Sequence, residues 1–346
     1  MQTRREMTNI ALIGFGAVGQ SLAETIRDKH DWLKDHFGLD AKLVAITGRS
    51  KGSIYDLEGL DLQTLLDVFQ ETGNLEGYPQ GIKGLSSMET ITDTNAEIIV
   101  EATITNIKTG EPTLSYVKAA LSRGKHVVTS NKGPAALAYK ELQELALKNG
   151  VQFRIESTVL SGTPAINFAT ENLAGHKITS VKGIINGTTN YILTEMEKGT
   201  SYTDALREAQ RLGYAEADPT ADVEGWDAVA KIMILGNVVL GGSLKSKDVE
   251  RTGITNITME DVEKAKSEGK RIKLIAEAYM ENNVVKAKVA PTWLPLSDPL
   301  ASVNGTLNAI TVMTDGLEEV TVIGGGAGGL GTAHGLLSDI IAIHRH

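Results

Sequence analysis

The first 150 residues alternate between short apolar runs and longer stretches in which apolar positions recur at helical spacing. A short apolar run predicts a buried strand, and the helical spacing predicts an amphipathic helix. Strands are predicted at residues 9–14, 42–47, 97–102, 126–130 and 151–156, and helices at 20–28, 112–123 and 134–149. This alternation is typical of a doubly wound parallel sheet, so we predict an α/β, Rossmann-type domain over residues 1–150. Residues 53–90 read as helix and loop without recognisable chemistry.

After Gly175 the pattern becomes a mixture of strands and helices without regular alternation. Strands are predicted at 177–185, 309–314 and 319–324, helices at 191–198, 203–212 and 258–267, and a β-hairpin at 271–280 and 284–291. The Asn282-Asn283 pair suits the hairpin turn, because asparagine tolerates left-handed backbone conformations. We therefore predict an α+β second domain over 151–310. The final segment, 311–346, carries an apolar helix that we expect to return to the first domain.

Composition narrows the class of protein and its partners. The chain has 346 residues, more than one ordinary core accommodates, in agreement with two domains. Its net charge of −9 argues against a nucleic acid or an anionic membrane as partner, and no apolar run approaches a membrane span. Residues 1–10 do not resemble a secretory signal, so a cytoplasmic location is expected. The absence of cysteine excludes disulfides, thiolate metal sites and thiol nucleophiles, and the seven histidines lack metal-ligand spacing.

The turn after the first strand is rich in glycine and reads Gly14-Phe15-Gly16-Ala17-Val18-Gly19. Between a strand and a helix, this pattern is typical of dinucleotide binding, because the glycines let backbone N–H groups approach a pyrophosphate at the helix N-terminus. A glycine-rich turn without a ligand is the alternative.

The ends of three later strands carry polar side chains that we expect at the cofactor crevice. The second strand ends in Arg49, Ser50 and Lys51, where an NAD-preferring enzyme has a carboxylate. This chemistry suits a 2′-phosphate and favours NADP, with NAD and a solvated basic turn as alternatives. Thr103 and Lys132 follow the next two strands along the chain.

Residues 213–231 concentrate ionisable side chains within nineteen positions. Asp222 is a plausible N-cap for the helix that follows, and Asp227 and Lys231 share one face of that helix, with Glu224 a turn earlier on the same side. Because Lys231 enters an apolar stretch, we expect its ammonium group to be held by Asp227. An ordinary solvated ion pair is the alternative.

Two further turns have both a structural and a functional interpretation. Glu156, with the carbonyl groups of the turn after it, could hold a hard cation, but a helix N-terminus with hydroxyl caps is the simpler interpretation. The glycine-rich segment 324–333 is either a hinge or a cofactor contact, since six glycines in eight positions allow close backbone approach.

Together these motifs resemble those of homoserine dehydrogenases. The resemblance spans nearly the whole chain, and the motifs that carry it are 213–231, Gly187-Thr188-Thr189-Asn190-Tyr191-Ile192, Asn131-Lys132, the 156–164 turn and Gly326-Ala327-Gly328. It implies a Rossmann domain, a central catalytic and dimerisation domain, and a C-terminal helix that packs back on the first. It also implies a homodimer and the interconversion of L-homoserine and L-aspartate 4-semialdehyde with a nicotinamide cofactor, in threonine and methionine biosynthesis.

The resemblance implies a role for each matching residue. Lys231 is the expected acid/base, and Lys132 is the expected second lysine near cofactor and substrate. The residues expected to bind the substrate's ammonium group, or to hold the lysine, are Glu216, Asp222, Asp227 and Thr188. The expected cofactor contacts, from motifs and resemblance together, are Gly14, Phe15, Gly16, Ala17, Val18, Gly19, Arg49, Ser50, Lys51, Thr103, Lys132 and Gly328. The expected ligands of a monovalent cation, Na⁺ or K⁺, are Glu156, Val159, Ser161 and Thr163.

Two other functions stay open on sequence alone. One is a dehydrogenase of another small amino or hydroxy acid, and the other is a redox sensor that binds NADP(H) without turnover. A sensor has no need for two lysines, 132 and 231, that converge on one crevice. Because the sequence ends after the final helix, we do not expect feedback through the C-terminal regulatory domain that some relatives carry.

Overall fold

The computed structural model describes residues 7–345. Its strands are β1 (Met7–Ile13), β2 (Asp40–Gly48), β3 (Gly52–Tyr55), β4 (Ile82–Lys83), β5 (Ile98–Glu101), β6 (His126–Thr129), β7 (Phe153–Arg154), β8 (Ile178–Ile184), β9 (Val249–Arg251), β10 (Lys270–Glu281), β11 (Val284–Pro295), β12 (Leu307–Thr314) and β13 (Glu318–Gly325). Its α-helices are α1 (Ala17–Asp28), α2 (His30–Phe37), α3 (Leu62–Thr72), α4 (Ser87–Asp93), α5 (Thr113–Ser122), α6 (Lys132–Lys148), α7 (Ser157–Leu160), α8 (Gly187–Glu197), α9 (Tyr202–Arg211), α10 (Thr220–Val223), α11 (Trp226–Val239), α12 (Met259–Ser267) and α13 (Gly329–Arg345). None of the helices described is long and apolar enough to cross a membrane.

The described chain divides into two compact units with limits that differ from those expected. The first unit contains residues 7–162 and 328–345, and the second contains 163–327. The first unit continues past residue 150 because β7 pairs with β6 at the edge of its sheet. The segment that returns begins at Gly328, not at 311, because β12 and β13 belong to the sheet of the second unit.

The first unit is built on a seven-stranded sheet with the order β4-β3-β2-β1-β5-β6-β7. The five strands β2, β1, β5, β6 and β7 run parallel, as the alternation of strands and helices predicts. The order reverses between β1 and β5, so the carboxyl ends of these two strands flank the crevice where such sheets bind ligands. The antiparallel strands β3 and β4 were not predicted, and they extend the edge beside β2.

The core of the first unit contains side chains from the first and the last of the elements described, β1 and α13. Leu22 and Ile26 of α1 are fully buried with Leu336 and Ile340 of α13, in the same cluster as Leu12 of β1. Each buried side chain of this size stabilises the folded state by roughly 1.5–3 kcal/mol. The apolar helix predicted to return to the first domain therefore forms part of that domain's core.

The second unit is built on a six-stranded sheet with the order β13-β12-β8-β10-β11-β9. The hairpin of β10 and β11 was predicted, and its turn residues Asn282 and Asn283 have φ angles of 51° and 61°. These left-handed values suit a tight hairpin turn between right-twisted strands. The predicted strand and hairpin elements of this unit thus form one mixed sheet.

Helix α11 runs through the interior of the second unit. All residues from 228 to 236 are buried, so the helix is apolar around most of its circumference. A Cβ atom added to Gly236 would lie 2.7 Å from the side chain of Leu244 and 3.2 Å from that of Ala278 in β10. This close packing fixes the helix against the sheet and, with it, the depth of Lys231.

Candidate active site

In the glycine-rich turn of the first unit, Gly14 and Gly19 are packed closely against backbone atoms, whereas Gly16 borders open space. A Cβ atom at Gly14, whose φ is +104°, would lie 2.6 Å from the carbonyl oxygen of Ala102. One at Gly19 would lie 2.3 Å from the carbonyl oxygen of Gly14, whereas one at Gly16 would meet no atom within 4 Å. Gly16 is the N-cap of α1, so this open space adjoins the first N–H groups of the helix, where a phosphate binds favourably.

Phe15, an expected cofactor contact, has a buried side chain that packs in the core beneath this turn. Its side chain is 1% exposed and meets the ring of Phe69 edge to face, with 4.8 Å between ring centroids. The ring therefore fixes the turn in the core, and Phe15 has only its backbone to offer a ligand.

Arg49, Ser50 and Lys51 form the turn between β2 and β3. Arg49 and Ser50 are exposed, and Nζ of Lys51 lies 5.6 Å from the centroid of the Phe69 ring. A Cβ atom at Gly52 would lie 3.3 Å from Oε1 of Glu76, so one carboxylate also lies beside this turn. Sequence reasoning missed Glu76, because a carboxylate that selects NAD was expected directly at the end of β2, and Glu76 lies about 25 residues further along the chain.

The carboxyl ends of β5 and β6 are joined through Glu101. Its carboxylate accepts hydrogen bonds from the backbone N–H of Thr103 at 2.9 Å and from the hydroxyl of Thr129 at 2.7 Å. Thr103 therefore lies at this edge, as expected, but its side chain is engaged with Glu101. Lys132 is the first residue of α6, half-buried, directly after the N-cap Asn131. Sequence reasoning missed Glu101, which it counted as part of an apolar strand.

Gly328 directly precedes α13 and has a φ of +108°. A Cβ atom on its neighbour Gly329 would lie 3.2 Å from the carbonyl oxygen of Ala17 and 3.2 Å from Oγ of Ser21. The start of α13 thus lies against the start of α1, beside the glycine-rich turn. The contact of Gly328 with a cofactor stays a prediction.

The expected cation ligands lie on either side of the division between the units. Glu156, Val159 and Ser161 are buried around α7 in the first unit, and Thr163 is the first residue of the second. The backbone N–H of Glu156 donates to Asp339 at 2.9 Å. Ser161 has a φ of 60°, an unusual value for a residue other than glycine, and its Oγ lies 2.9 Å from that of Thr332.

The lysine of the second unit is buried and held. Lys231 is 8% exposed, and its Nζ donates to Oδ2 of Asp227 at 2.8 Å and to the carbonyl oxygen of Ile185 at 2.8 Å. The predicted i,i+4 pair is thus a buried ion pair, not a solvated one. Removing one partner of such a pair is costly, because it leaves an uncompensated charge in the interior.

Asn186 joins this ion pair to a second carboxylate. Its Nδ2 donates to Oδ1 of Asp222 at 2.7 Å and to Oδ2 of Asp227 at 3.0 Å, while its Oδ1 caps α8 at the N–H of Thr189. Burial raises the pKa of Asp222; the bond from Asn186 opposes this, and the nearby carboxylate of Asp227 adds to it. Sequence reasoning missed the contact of Asn186 with both carboxylates.

Thr188 joins the same cluster, whereas Glu216 does not. The hydroxyl of Thr188 donates to the carbonyl oxygen of Tyr214 at 2.6 Å, and its proximity to Asp222 opposes the rise that burial causes in the pKa of that carboxyl. Glu216 is exposed in the loop before α10, and its backbone carbonyl accepts a bond from Gln210. The second unit therefore brings together Lys231, Asp227, Asp222 and Thr188 of the expected residues.

Two local expectations for this segment are wrong. Asp222 is not the N-cap of α11, because it lies within α10 and Gly225, with a φ of 81°, is the cap residue. Glu224 does not face Lys231: its carboxylate contacts Arg251 at 3.2 Å and the hydroxyl of Thr255 at 3.0 Å. The short break at Gly225 turns the chain, so helical spacing cannot be extended from α11 back to Glu224.

The fold and these groups together define a class of protein. A dinucleotide-binding sheet in one unit, and in the other a buried ammonium group held by a carboxylate, are the components of a nicotinamide-dependent oxidoreductase. The ammonium group can exchange a proton with an alcohol or aldehyde oxygen, and the carboxylates can bind a cationic substrate.

Comparison with known proteins identifies the family. The family model described as homoserine dehydrogenase matches residues 164–341, and that of the homoserine dehydrogenase NAD binding domain matches 14–156. A homoserine dehydrogenase of Methanocaldococcus jannaschii is 45% identical, and the match covers 97% of this chain and 98% of that protein. An NAD(+)-dependent homoserine dehydrogenase of Pseudomonas canavaninivorans is 44% identical, with 97% and 96% covered. The chain belongs to the homoserine dehydrogenase family.

A solved structure extends the comparison to the fold. A hyperthermophilic archaeal homoserine dehydrogenase in complex with NADPH matches with a TM-score of 0.84 and 34% identity, covering 98% of each chain. The similarity in fold therefore extends over nearly the full length of both chains, in agreement with the two sequence matches.

Proposed function

We propose that this protein interconverts L-homoserine and L-aspartate 4-semialdehyde with a nicotinamide cofactor, and that Lys231 is the residue that exchanges the proton. The observation that carries the proposal is the buried cluster of Lys231, Asp227, Asn186 and Asp222. It offers one ammonium group and two carboxylates, which match a substrate with a reacting oxygen and an α-ammonium group.

A reduced nicotinamide cofactor held at the glycine-rich turn, residues 14–19, would supply the hydride for the aldehyde carbon, which leaves negative charge on the substrate oxygen. The ammonium group of Lys231 stabilises this charge and gives one proton to the oxygen, which becomes the hydroxyl of homoserine. In the direction of oxidation the neutral amine accepts the same proton. Asp227 and the carbonyl of Ile185 hold the lysine in place through both directions.

The substrate's ammonium group is assigned to the carboxylates beside the lysine. Thr188 lies in the first turn of α8, which Asn186 caps, and Asp222 lies in α10 and accepts a hydrogen bond from the Asn186 amide. We propose that Asp222 and Asp227 bind or orient the substrate, with Glu216 completing the site from its loop. Lys132 as second lysine rests on the resemblance and on its place at the start of α6.

The cofactor preference proposed is NADP. The support is the chemistry of Arg49, Ser50 and Lys51, two cations and a hydroxyl, at the end of β2. The carboxylate of Glu76 beside Gly52 favours the alternative, NAD, because it would repel a 2′-phosphate. The relatives differ in the same way, since one is named for NAD(+) and another was solved with NADPH.

A monovalent cation, a homodimer and a cytoplasmic location complete the proposal. Glu156, Val159, Ser161 and Thr163 are the proposed cation ligands, and replacing potassium by choline in the assay tests for the ion. A dimer is supported by the resemblance and by exposed Leu307, Leu317 and Ile323 on the β12–β13 hairpin. Light scattering of the purified protein tests the dimer, and cell fractionation tests the location.

The activity itself is tested by following the absorbance of the reduced nicotinamide. Homoserine is supplied with NADP and, separately, with NAD, and serine and threonine serve as matched hydroxy amino acids. We expect turnover with homoserine and higher kcat/KM with NADP. Turnover with another hydroxy acid alone would assign a different substrate, and cofactor binding without turnover of any of them would assign a sensor.

A further inference from the structure

Glu101 is a buried carboxylate at the crevice of the first unit for which the proposed reaction has no direct use. It is the last residue of β5, is 0% exposed, and pairs in register with Ile13 of β1 and Thr129 of β6. The order of the sheet reverses between β1 and β5, so Glu101 marks the place where ligands bind in such sheets. Its burial raises its pKa, and the hydrogen bonds from threonine oppose the rise.

The carboxylate of Glu101 holds three segments of chain at once. Oε1 accepts bonds from the backbone N–H of Thr103 at 2.9 Å, from the hydroxyl of Thr103, and from the hydroxyl of Thr113 at 3.4 Å. Oε2 accepts a bond from the hydroxyl of Thr129 at 2.7 Å. The loop after β5, the start of α5 and the end of β6 are therefore fixed to one side chain.

A second layer of bonds extends this network to the start of α6. The hydroxyl of Thr129 accepts from the backbone N–H of Asn131 at 2.9 Å, and Nδ2 of Asn131 donates to the hydroxyl of Thr113 at 3.1 Å. Oδ1 of Asn131 caps α6 by accepting from the N–H of Gly133 at 3.0 Å. Lys132 is the residue between Asn131 and Gly133 in the chain, so its backbone position depends on the network.

Stability alone does not account for a carboxylate at this place. Burying a charge costs free energy, and a neutral side chain of the same size avoids that cost. What a carboxylate provides is an acceptor that takes several hydrogen bonds and donates none. The four hydrogen bonds of the Glu101 carboxylate within residues 7–345 all come from donors, one N–H and three hydroxyls.

We propose that Glu101 is a positioning residue for the nicotinamide end of the cofactor. It acts through Thr103 and Lys132, which it holds at the crevice, and it does not itself touch cofactor or substrate. This inference rests on the proposed function, because the contacts of Thr103 and Lys132 with the cofactor belong to that proposal.

The test is Glu101→Gln, which keeps the size of the side chain and replaces one acceptor oxygen by a donor. In either orientation the amide group of glutamine faces a group that donates to Glu101 now. We expect the Kd for the reduced cofactor, measured by its fluorescence, to rise about tenfold, and kcat to fall by a similar factor, because small displacements at a reacting centre are costly. We expect the KM for homoserine to change less than about twofold, since the carboxylates around Lys231 are intact.

Thr129→Val removes two hydrogen bonds of the network, one to Glu101 and one from the N–H of Asn131, and covers the case in which Glu101→Gln does not fold. It should raise the cofactor Kd about three- to tenfold, as expected when two hydrogen bonds of the network are lost. The matched control is Thr25→Val in α1, which also removes a buried hydroxyl, bonded to the carbonyl of Ser21 at 2.6 Å, but lies outside the network. The control should lose some thermal stability and keep the cofactor Kd of the wild type.

A purely structural Glu101 would give a different result. Both network variants would then lower the melting temperature as the control does and leave the cofactor Kd unchanged, which would overturn the proposal. A wild type that turns over no homoserine would refute the proposed function instead, and the cofactor Kd would still decide the role of Glu101.

Discussion

The ammonium group of Lys231 has the two properties that a proton-exchanging residue requires. It is removed from bulk water, at 8% exposure, and its orientation is fixed by one charged and one neutral acceptor, Asp227 and the carbonyl of Ile185. The third N–H of the ammonium group is available for a substrate oxygen, because an ammonium group has three donors. A buried lysine alone does not establish this role, since Lys273 in the same unit is buried more deeply.

Replacing Lys231 by methionine should therefore separate chemistry from binding. Lys231→Met keeps the length of the side chain but removes the proton donor, and we expect kcat to fall by about 10²–10⁴-fold. The cofactor Kd should stay within about twofold, since the glycine-rich turn is unchanged. Initial rates and cofactor fluorescence are the measurements.

Lys273→Met is the matched control, because it removes another buried lysine of the second unit. Nζ of Lys273 donates to Oδ1 of Asn190, to the carbonyl of Val303 and to Oδ1 of Asn304. It has no bond to the carboxylates of the site, so kcat should stay near that of the wild type. A similar loss of kcat in both variants would mean that Lys231 matters for packing and not for proton exchange.

Lys273 gives the protein a stability that depends on pH. Burial lowers its pKa from 10.5 to about 8, while the pKa of the same lysine in the unfolded chain stays near 10.5. Below pH 8 both states carry the proton and the cost of the buried charge is present in full. Between the two pKa values the unfolded state binds more protons, so the free energy of unfolding rises with pH, by up to about 3 kcal/mol.

Denaturant unfolding at a series of pH values from neutral to about 10 checks this prediction. Because other lysines and tyrosines titrate in the same range, the quantity to compare is the difference between wild type and Lys273→Met. We expect this difference to shift in favour of the wild type as pH rises. A constant difference would show that Lys273 keeps an ordinary pKa in the folded protein.

Neutral residues of the site were harder to predict than charged ones. Lys231 and Asp227 could be paired from their spacing, because both lie on one helix. Asn186 and the carbonyl of Ile185 are more than 40 residues away in the chain, and only the fold brings them to the lysine. Glu101 was missed for a related reason, since the threonines that hold it come from three segments.

At the scale of elements, helix α8 supports the site through its first turn. Asn186 caps the helix with its oxygen and holds Asp222 and Asp227 with its nitrogen. The Asn186 side chain is thus hydrogen-bonded both to the first turn of α8 and to Asp227 of α11, the helix that carries Lys231. An N-cap asparagine is common, but a cap whose amide also bonds two carboxylates has a second effect when it is removed.

Asn186→Ala should lower both stability and activity. Loss of the cap costs about 1 kcal/mol, and the two carboxylates lose the donor that they share, so their repulsion is no longer offset. We expect kcat/KM for homoserine to fall about tenfold or more, measured from initial rates. Ser201→Ala is the control, since Ser201 caps α9 through Asp204 and is exposed. If both variants lose stability equally and neither loses activity, the amide of Asn186 has no part in the site.

The accuracy of the predicted elements follows their length and burial. The strands at the centre of the first sheet and the twelve-residue strands of the β10–β11 hairpin were found from their apolar patterns. The strands β3 and β4 were missed because they contain four and two residues, too few for a pattern to appear. The start of α11 was misplaced because a glycine with positive φ, Gly225, begins it instead of an acidic cap.

At the scale of the whole molecule, the first unit is discontinuous in sequence. Residues 7–162 form its sheet, and 328–345 supply α13 after the entire second unit. Leu336 and Ile340 of α13 lie in the same core cluster as Leu12 of β1. The sequence predicted that the last helix returns, but not where the second unit ends, because strand pairing, not local pattern, assigns β12 and β13.

This arrangement predicts that cofactor binding stabilises the first unit even against a defect near the C-terminus. Leu336→Ala removes a fully buried side chain and should cost about 2–5 kcal/mol. Reduced cofactor at about 100 times its Kd should raise the free energy of unfolding of the first unit by about 2.7 kcal/mol, because it binds the folded unit and not the unfolded one. Calorimetric scans with and without cofactor measure both effects.

Leu235→Ala in α11 is the matched control, since Leu235 is also fully buried but belongs to the second unit. Each unit has its own sheet and buried core, so we expect separate unfolding transitions. Cofactor should raise the transition lowered by Leu336→Ala and leave the one lowered by Leu235→Ala nearly unchanged. A single transition that shifts equally in both variants would mean that the two units unfold as one, and the stability of the site around Lys231 would then depend directly on the cofactor bound to the first unit.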